Sequence, residues 1–73
     1  MKLSDLMIGQ TGVVQGFDLS KQVLQRLQKM GITTGVKITL IRRAPLFEPL
    51  EYCVRGVYLA LRKSEADKIF VKV

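Results

Sequence analysis

Histidine and tryptophan are absent from this 73-residue chain, and cysteine occurs once, at Cys53. Each absence removes a class of chemistry. Without histidine there is no Ser–His or Cys–His nucleophile pair. The commonest zinc ligand is missing too, and a lone thiol cannot complete a soft-metal site. A single cysteine cannot form an internal disulfide, and an unpaired thiol fits a reducing compartment. Cys53 reads as a small, half-buried apolar residue rather than a reactive thiol. Acids are few, six in all. Glu48 and Glu51 flank Pro49 and are poorly placed to chelate a hard cation together. Neither that pair nor Asp5 with Asp18 falls in a pattern that makes an apolar acid–base pocket. The six glycines are scattered singly, so there is no glycine-rich phosphate loop. No stretch approaches the ~18 apolar residues of a membrane helix. The opening MKLSDLMIGQTG carries Asp5 early and lacks the apolar run of a secretion signal. These exclusions lead to a non-enzymatic, cytoplasmic domain without cofactor or metal.

What is present is apolar and basic. The hydrophobic fraction of 48% is that of a folded chain. At this size one domain buries about 60% of its unfolded surface, and without a staple the fold rests on apolar packing alone. Twelve Lys and Arg against six Asp and Glu give a net charge of +6. That surplus favours an anionic partner: nucleic acid, a membrane surface or an acidic protein. The charge is spread out. Only Arg42–Arg43 and Arg62–Lys63 are adjacent basic pairs, so there is no basic arm.

Along the chain, period two is interrupted once by period 3.6. LSDLMIGQTG reads as a turn and loop, with Ser4 as a cap and Gly9 and Gly12 as punctuation. VVQGF (13–17) predicts a strand with a bulge or bend at Gly16. SKQVLQRLQKM (20–30) predicts a helix: Val23, Leu24, Leu27 and Met30 share one face. Asp18 or Ser20 caps its start, and Gly31 followed by Ile32 suits its end. VKITLIRR (36–43) predicts a strand with Val36, Ile38 and Leu40 inward and Arg43 on the opposite face. LEYCVR (50–55) places Leu50, Tyr52 and Val54 inward, and VYLALR (57–62) places Val57, Leu59 and Leu61 inward. Gly56 between them marks a tight hairpin. SEAD (64–67) is a capping-box pattern for a short helical turn. KIFVKV ends the chain as a strand with Ile69, Val71 and Val73 on one face. The fold class is mainly β: a small, strongly bent barrel of about five antiparallel strands that removes most free edges. One helix follows the first strand and a short turn precedes the last.

Two features invite a function. Tyr58 lies out of phase with its strand's apolar set, as does Phe70. With Arg55 and Arg62, Tyr58 either forms a modest platform for single-stranded nucleic acid or packs beneath the helix. The second feature is RRAPLFEPL (42–50). Pro45 and Pro49 hold Ala44 and Glu48 out of helical space, so the loop is stiff at both ends and loses less entropy on binding. Leu46 and Phe47 between the prolines serve either as a lid on the barrel end or as an exposed anchor. The candidate partner-binding residues are therefore Arg42, Arg43, Pro45, Leu46, Phe47 and Pro49. An exposed Phe47 also allows weak homo-oligomerisation.

The segments LSDLMIGQTGVV, LQRLQKMGITTGVKITLIRRAP and EPLEYCVRGVYLALRKSEADKIFV, in this order, resemble the ferrous iron transport protein A (FeoA) family over essentially the whole chain, residues 1–73. The resemblance implies a cytoplasmic SH3-like barrel. It also implies a partner, the FeoB-type membrane ferrous permease with its cytosolic GTP-binding domain, which the protein would assist or regulate by contact. No nucleic acid is then expected. The alternative is a nucleic-acid- or peptide-binding barrel, like the module found in metal-dependent repressors. Two positions depart from the family pattern. Relatives often have proline at the position of Thr34, and Gly-Asp after APL where this chain has Phe47 and Glu48. Phe tolerates positive φ poorly, so a different loop path is expected here.

Overall fold

Alternating apolar residues put one face of each strand against a common interior. The computed structural model describes residues 1–73, the side chain of Phe47 excepted. Five strands, β1 (Thr11–Phe17), β2 (Lys37–Arg43), β3 (Leu50–Val54), β4 (Val57–Leu61) and β5 (Ile69–Lys72), form one antiparallel sheet in the order β4-β3-β2-β1-β5. Helix α1 (Lys21–Lys29) follows β1, and the single turn α2 (Lys63–Ala66) precedes β5. The core is Val14 of β1, Ile38 and Leu40 of β2, Leu50, Tyr52 and Val54 of β3, Leu61 of β4, and Ile69 and Val71 of β5. Leu27 of α1 closes it, with Val23 and Met30 packed at its margin.

Local chemistry sets the ends of the elements. Ser20 caps α1, its hydroxyl accepting the Val23 N–H at 3.3 Å, so of the two expected caps it is the nearer one. Gly31 ends the helix at φ 95, with its N–H on the Gln28 carbonyl and the Ile32 N–H on that of Leu27, both at 3.0 Å. This is a Schellman closure, and the fully buried Ile32 is its hydrophobic contact. Thr34 and Gly35 form the turn into β2, closed by the Val36 N–H on the Thr33 carbonyl at 3.2 Å. The β3–β4 hairpin turns through Arg55 and Gly56, both left-handed at φ 52 and 80. That is the two-residue turn whose twist matches the strands.

Two bulges change what alternation implies. One, between Val14 and Gly16, is the irregularity anticipated at Gly16, and beyond it Phe17 pairs with the buried Ile69. The other, between Leu40 and Arg42, inverts the phase of the end of β2: Arg42 pairs with Glu51 and Arg43 with Leu50. Directly paired residues share a face, so Arg43 turns inward, not outward as strict alternation placed it.

Further expectations are corrected. Ser4 is not a cap. It lies buried inside a 3-10 turn, Leu3–Asp5, and its hydroxyl donates to the Asp67 carboxylate. Gly12 lies inside β1, where an added Cβ would stand 3.0 Å from Val71 Cβ, so glycine is needed there for close approach rather than for a turn. Val57, expected inward, is 59% exposed because it sits at the hairpin end of an edge strand. Val73 lies beyond β5 and is exposed. The short α2 starts at Lys63 rather than from a Ser64 cap. Arg62 leaves β4 in an extended conformation, and its N–H is accepted by the Glu65 carboxylate at 3.2 Å.

The two sheet edges differ. The chain's first residues line β5: the Met1 amino group donates to the Val71 carbonyl at 3.0 Å, and the Val71 N–H returns to the Met1 carbonyl at 2.8 Å. Lys2 and Phe70 extend this pairing. Among the described residues no ladder joins β4 to β5, so the barrel is partly open along β4.

Candidate functional site

The loop from Ala44 to Pro49 joins β2 to β3. Pro45 holds Ala44 extended (φ −69, ψ 161), and Glu48 is extended before Pro49 (φ −147, ψ 139), as the two prolines require. The Glu48–Pro49 peptide is cis. The Ala44 N–H donates to the Pro49 carbonyl at 3.1 Å and closes the neck of the loop. The Glu48 carboxylate accepts the Lys63 N–H at 2.9 Å, which fastens the loop to the start of α2. Between these ties, Pro45–Phe47 makes a 3-10 turn in which Leu46 is left-handed (φ 65, ψ 22). A left-handed residue with a Cβ costs about 1–2 kcal/mol. The positive φ expected to trouble Phe47 thus falls on its neighbour. Leu46 is 92% exposed. An apolar side chain is held in solvent on a closed, fastened loop. The Phe47 side chain, expected as lid or anchor, lies outside the described residues.

The paired arginines separate. Arg42 faces outward and pairs with Glu51, Nε to Oε2 at 3.3 Å, with most of its side chain exposed. Arg43 reaches the amino-terminal segment, donating to the carbonyls of Leu6 at 2.7 Å and Ser4 at 3.1 Å. Tyr52 completes this polar cluster under the segment. Its hydroxyl donates to the Leu3 carbonyl at 3.1 Å, and burial pushes the phenol well above its usual range although the Arg43 charge opposes the shift. Of the six residues singled out by sequence, Arg42, Pro45, Leu46 and Pro49 stand at the surface of one loop and its rim, and Arg43 braces the rim from below. The bracing role was not visible in the sequence, since a bulge inverts the side on which Arg43 lies.

Sequence reasoning also missed a shallow depression of about 370 Å³ on the sheet, lined by Ile41, Glu51, Tyr58, Leu59 and Ala60. Its only signal was the out-of-phase Tyr58. That ring is 72% exposed and does not pack beneath the helix. Among the described residues, no three His, Cys, Asp or Glu side chains cluster to hold a metal ion. No helix among them is long and apolar enough to cross a membrane.

Comparisons with known proteins agree with this architecture. The FeoA domain model matches residues 1–73. A Porphyromonas gingivalis Fe(2+) transport protein A/Fe(2+) transporter FeoB fusion protein is 32% identical over the whole chain, which spans only 9% of that relative's length. The solution structure of the Chlorobium tepidum FeoA protein is 36% identical, with a TM-score of 0.95 over 100% of this chain and 70% of that one. A Stenotrophomonas maltophilia FeoA crystallised with zinc, described as a prokaryotic SH3 domain protein, is 32% identical, with a TM-score of 0.84 over 99% of this chain and 89% of that one. This chain's donor set does not fit zinc, with no histidine and a single thiol. Mainly β, with an SH3-like sheet of five antiparallel strands, the chain belongs to the FeoA domain family.

Proposed function

We propose that this protein is a non-enzymatic, cytoplasmic accessory of ferrous iron uptake, acting by contact with the cytosolic GTP-binding part of a FeoB-type permease. The observation that carries the reading is the relative in which a FeoA part and a FeoB transporter are one chain. Covalent joining raises the effective concentration of two parts for each other, and it suits parts that work in contact. In this chain the loop 42–50 supplies the contact. Leu46 is already exposed, and burying such a side chain is worth about 1.5–3 kcal/mol. The neck bond and the Glu48 tie hold the loop before binding, so little ordering cost is added. Arg42, with the +6 net charge behind it, speeds encounter with an acidic surface. Phe47, Pro45 and Pro49 complete the contact face, and Arg43 sets its base.

The test is calorimetric titration of this protein with the GTP-binding domain of the permease from the same cell, with and without GTP. Saturable binding in at least one nucleotide state is expected. Heats indistinguishable from dilution in both states would refute the proposal.

A further inference from the structure

The β3–β4 register fixes where the backbone of β4 points. Val54 pairs with Val57 across the two-residue turn, so the hydrogen-bonded pairs are Val54–Val57, Tyr52–Leu59 and Leu50–Leu61. The N–H and C=O groups of Tyr58 and Ala60 therefore point away from β3, and among the described residues they have no backbone partner. Exposed edges in monomeric proteins are usually blunted by charge, proline, a bulge or a covering segment. The β5 edge has such a cover in Met1 and Lys2. The β4 sequence VYLAL has no charge and no proline, and its pairing with β3 runs without a bulge. Beside it lies the depression lined by Ile41, Tyr58, Leu59 and Ala60, where the one carboxylate, Glu51, is already paired with Arg42.

Charge selects the occupant. Arg55 stands just before the strand and Arg62 just after it, and among the described residues neither has a carboxylate within ion-pair distance. A second copy added antiparallel would bring these basic ends against each other. We propose that the outer edge of β4 is a docking site for an extended segment of a partner protein, apolar in its middle and acidic at both ends, which adds to the sheet as a further strand. Main-chain bonds to Tyr58 and Ala60 hold it, the depression takes an alternate apolar side chain, and Arg55 and Arg62 receive its acids. The β4 backbone edge is distinct from the 42–50 loop, and only the Arg42–Glu51 ion pair joins the two surfaces, so protection of the Tyr58 and Ala60 amides tests this site apart from the permease contact.

The whole chain, isotopically labelled, is followed by amide hydrogen exchange with the peptide Glu-Ile-Thr-Val-Thr-Ile-Glu as probe. Exchange at Tyr58 and Ala60 is expected to slow by about tenfold or more, while the Leu59 amide, already paired, changes little. Ala60→Pro, which removes the outward N–H without removing a bond to β3, abolishes the protection at Tyr58. The double variant Arg55→Asn with Arg62→Gln keeps the hairpin geometry and weakens binding by about tenfold. Three results would overturn the proposal. One is equal binding of the peptide with lysine in place of glutamate. Another is protection that appears without peptide and grows with protein concentration, which would assign the edge to a second copy. The third is no protection by peptide while oligothymidylate perturbs the Tyr58 ring, which would assign the surface to single-stranded nucleic acid.

Discussion

Two irregular segments handle their apolar residues in opposite ways. The amino-terminal segment buries Leu3 and Leu6 completely, and the 44–49 loop leaves Leu46 92% exposed. Both are tied by polar bonds, but to different effect. Arg43 and Tyr52 donate to the carbonyls of Ser4, Leu6 and Leu3, and so pull the first segment into the core. The Ala44–Pro49 neck and the Glu48–Lys63 tie hold the second away from it. The same polar device closes the barrel in one place and presents a side chain in the other.

Truncation should separate the segments most sharply. Leu3→Ala is expected to cost about 2–5 kcal/mol in a denaturant titration, as for other fully buried leucines. Leu46→Ala is expected to change stability by less than about 0.5 kcal/mol. Comparable losses at both positions would break the contrast. Next come the neighbouring arginines. Arg43→Ala removes charge-assisted bonds to two carbonyls, each worth about 1.5–3 kcal/mol. Arg42→Ala removes one exposed ion pair, worth at most about 1 kcal/mol. Equal midpoints for the two variants would mean that Arg43 does not brace the segment.

Tyr52 sharpens the comparison by pH. Its folded phenol titrates above its unfolded counterpart because it is buried. The stability it adds is thus fully present below about pH 10, the unfolded value, and is lost as pH rises beyond it. Tyr52→Phe is expected to lower stability at neutral pH, because the Leu3 carbonyl loses its partner, and to flatten the alkaline loss. Unchanged alkaline sensitivity would point to another group. The smallest effect is a gain. Leu46→Gly relieves a left-handed side chain and is expected to stabilise the fold by about 1 kcal/mol. Destabilisation would mean that Leu46 contributes packing its exposure does not reveal.

Much of this architecture could be read before the structure, because it depends on short-range chemistry. The face of Val23, Leu27 and Met30, the Gly31–Ile32 closure, the Gly56 hairpin and the proline-held loop each follow from a few adjacent residues. The features that were not legible depend on partners far along the chain. Alternation put Arg43 outward, and the bulge after Leu40 reversed it. Val57 has the composition of an inward residue, but it lies on an edge strand with nothing facing it. Ser4 was expected to cap a turn, yet it lies inside one and its partner is Asp67, far along the sequence. In the candidate site the stiffness of the loop was readable from its prolines. The separate fates of Arg42 and Arg43 were not, since the bulge against β3 sets them, and the left-handed Leu46 has no signal in its own residue type.

The account turns on whether the displayed loop is a contact surface. The most direct measurement is parallel titration of wild type, Leu46→Ser and Phe47→Ser into the GTP-binding domain of the permease, with thermal unfolding run on the same samples. The account predicts that each variant binds about tenfold or more weakly while melting within a few degrees of wild type. Wild-type affinity in both well-folded variants would contradict it.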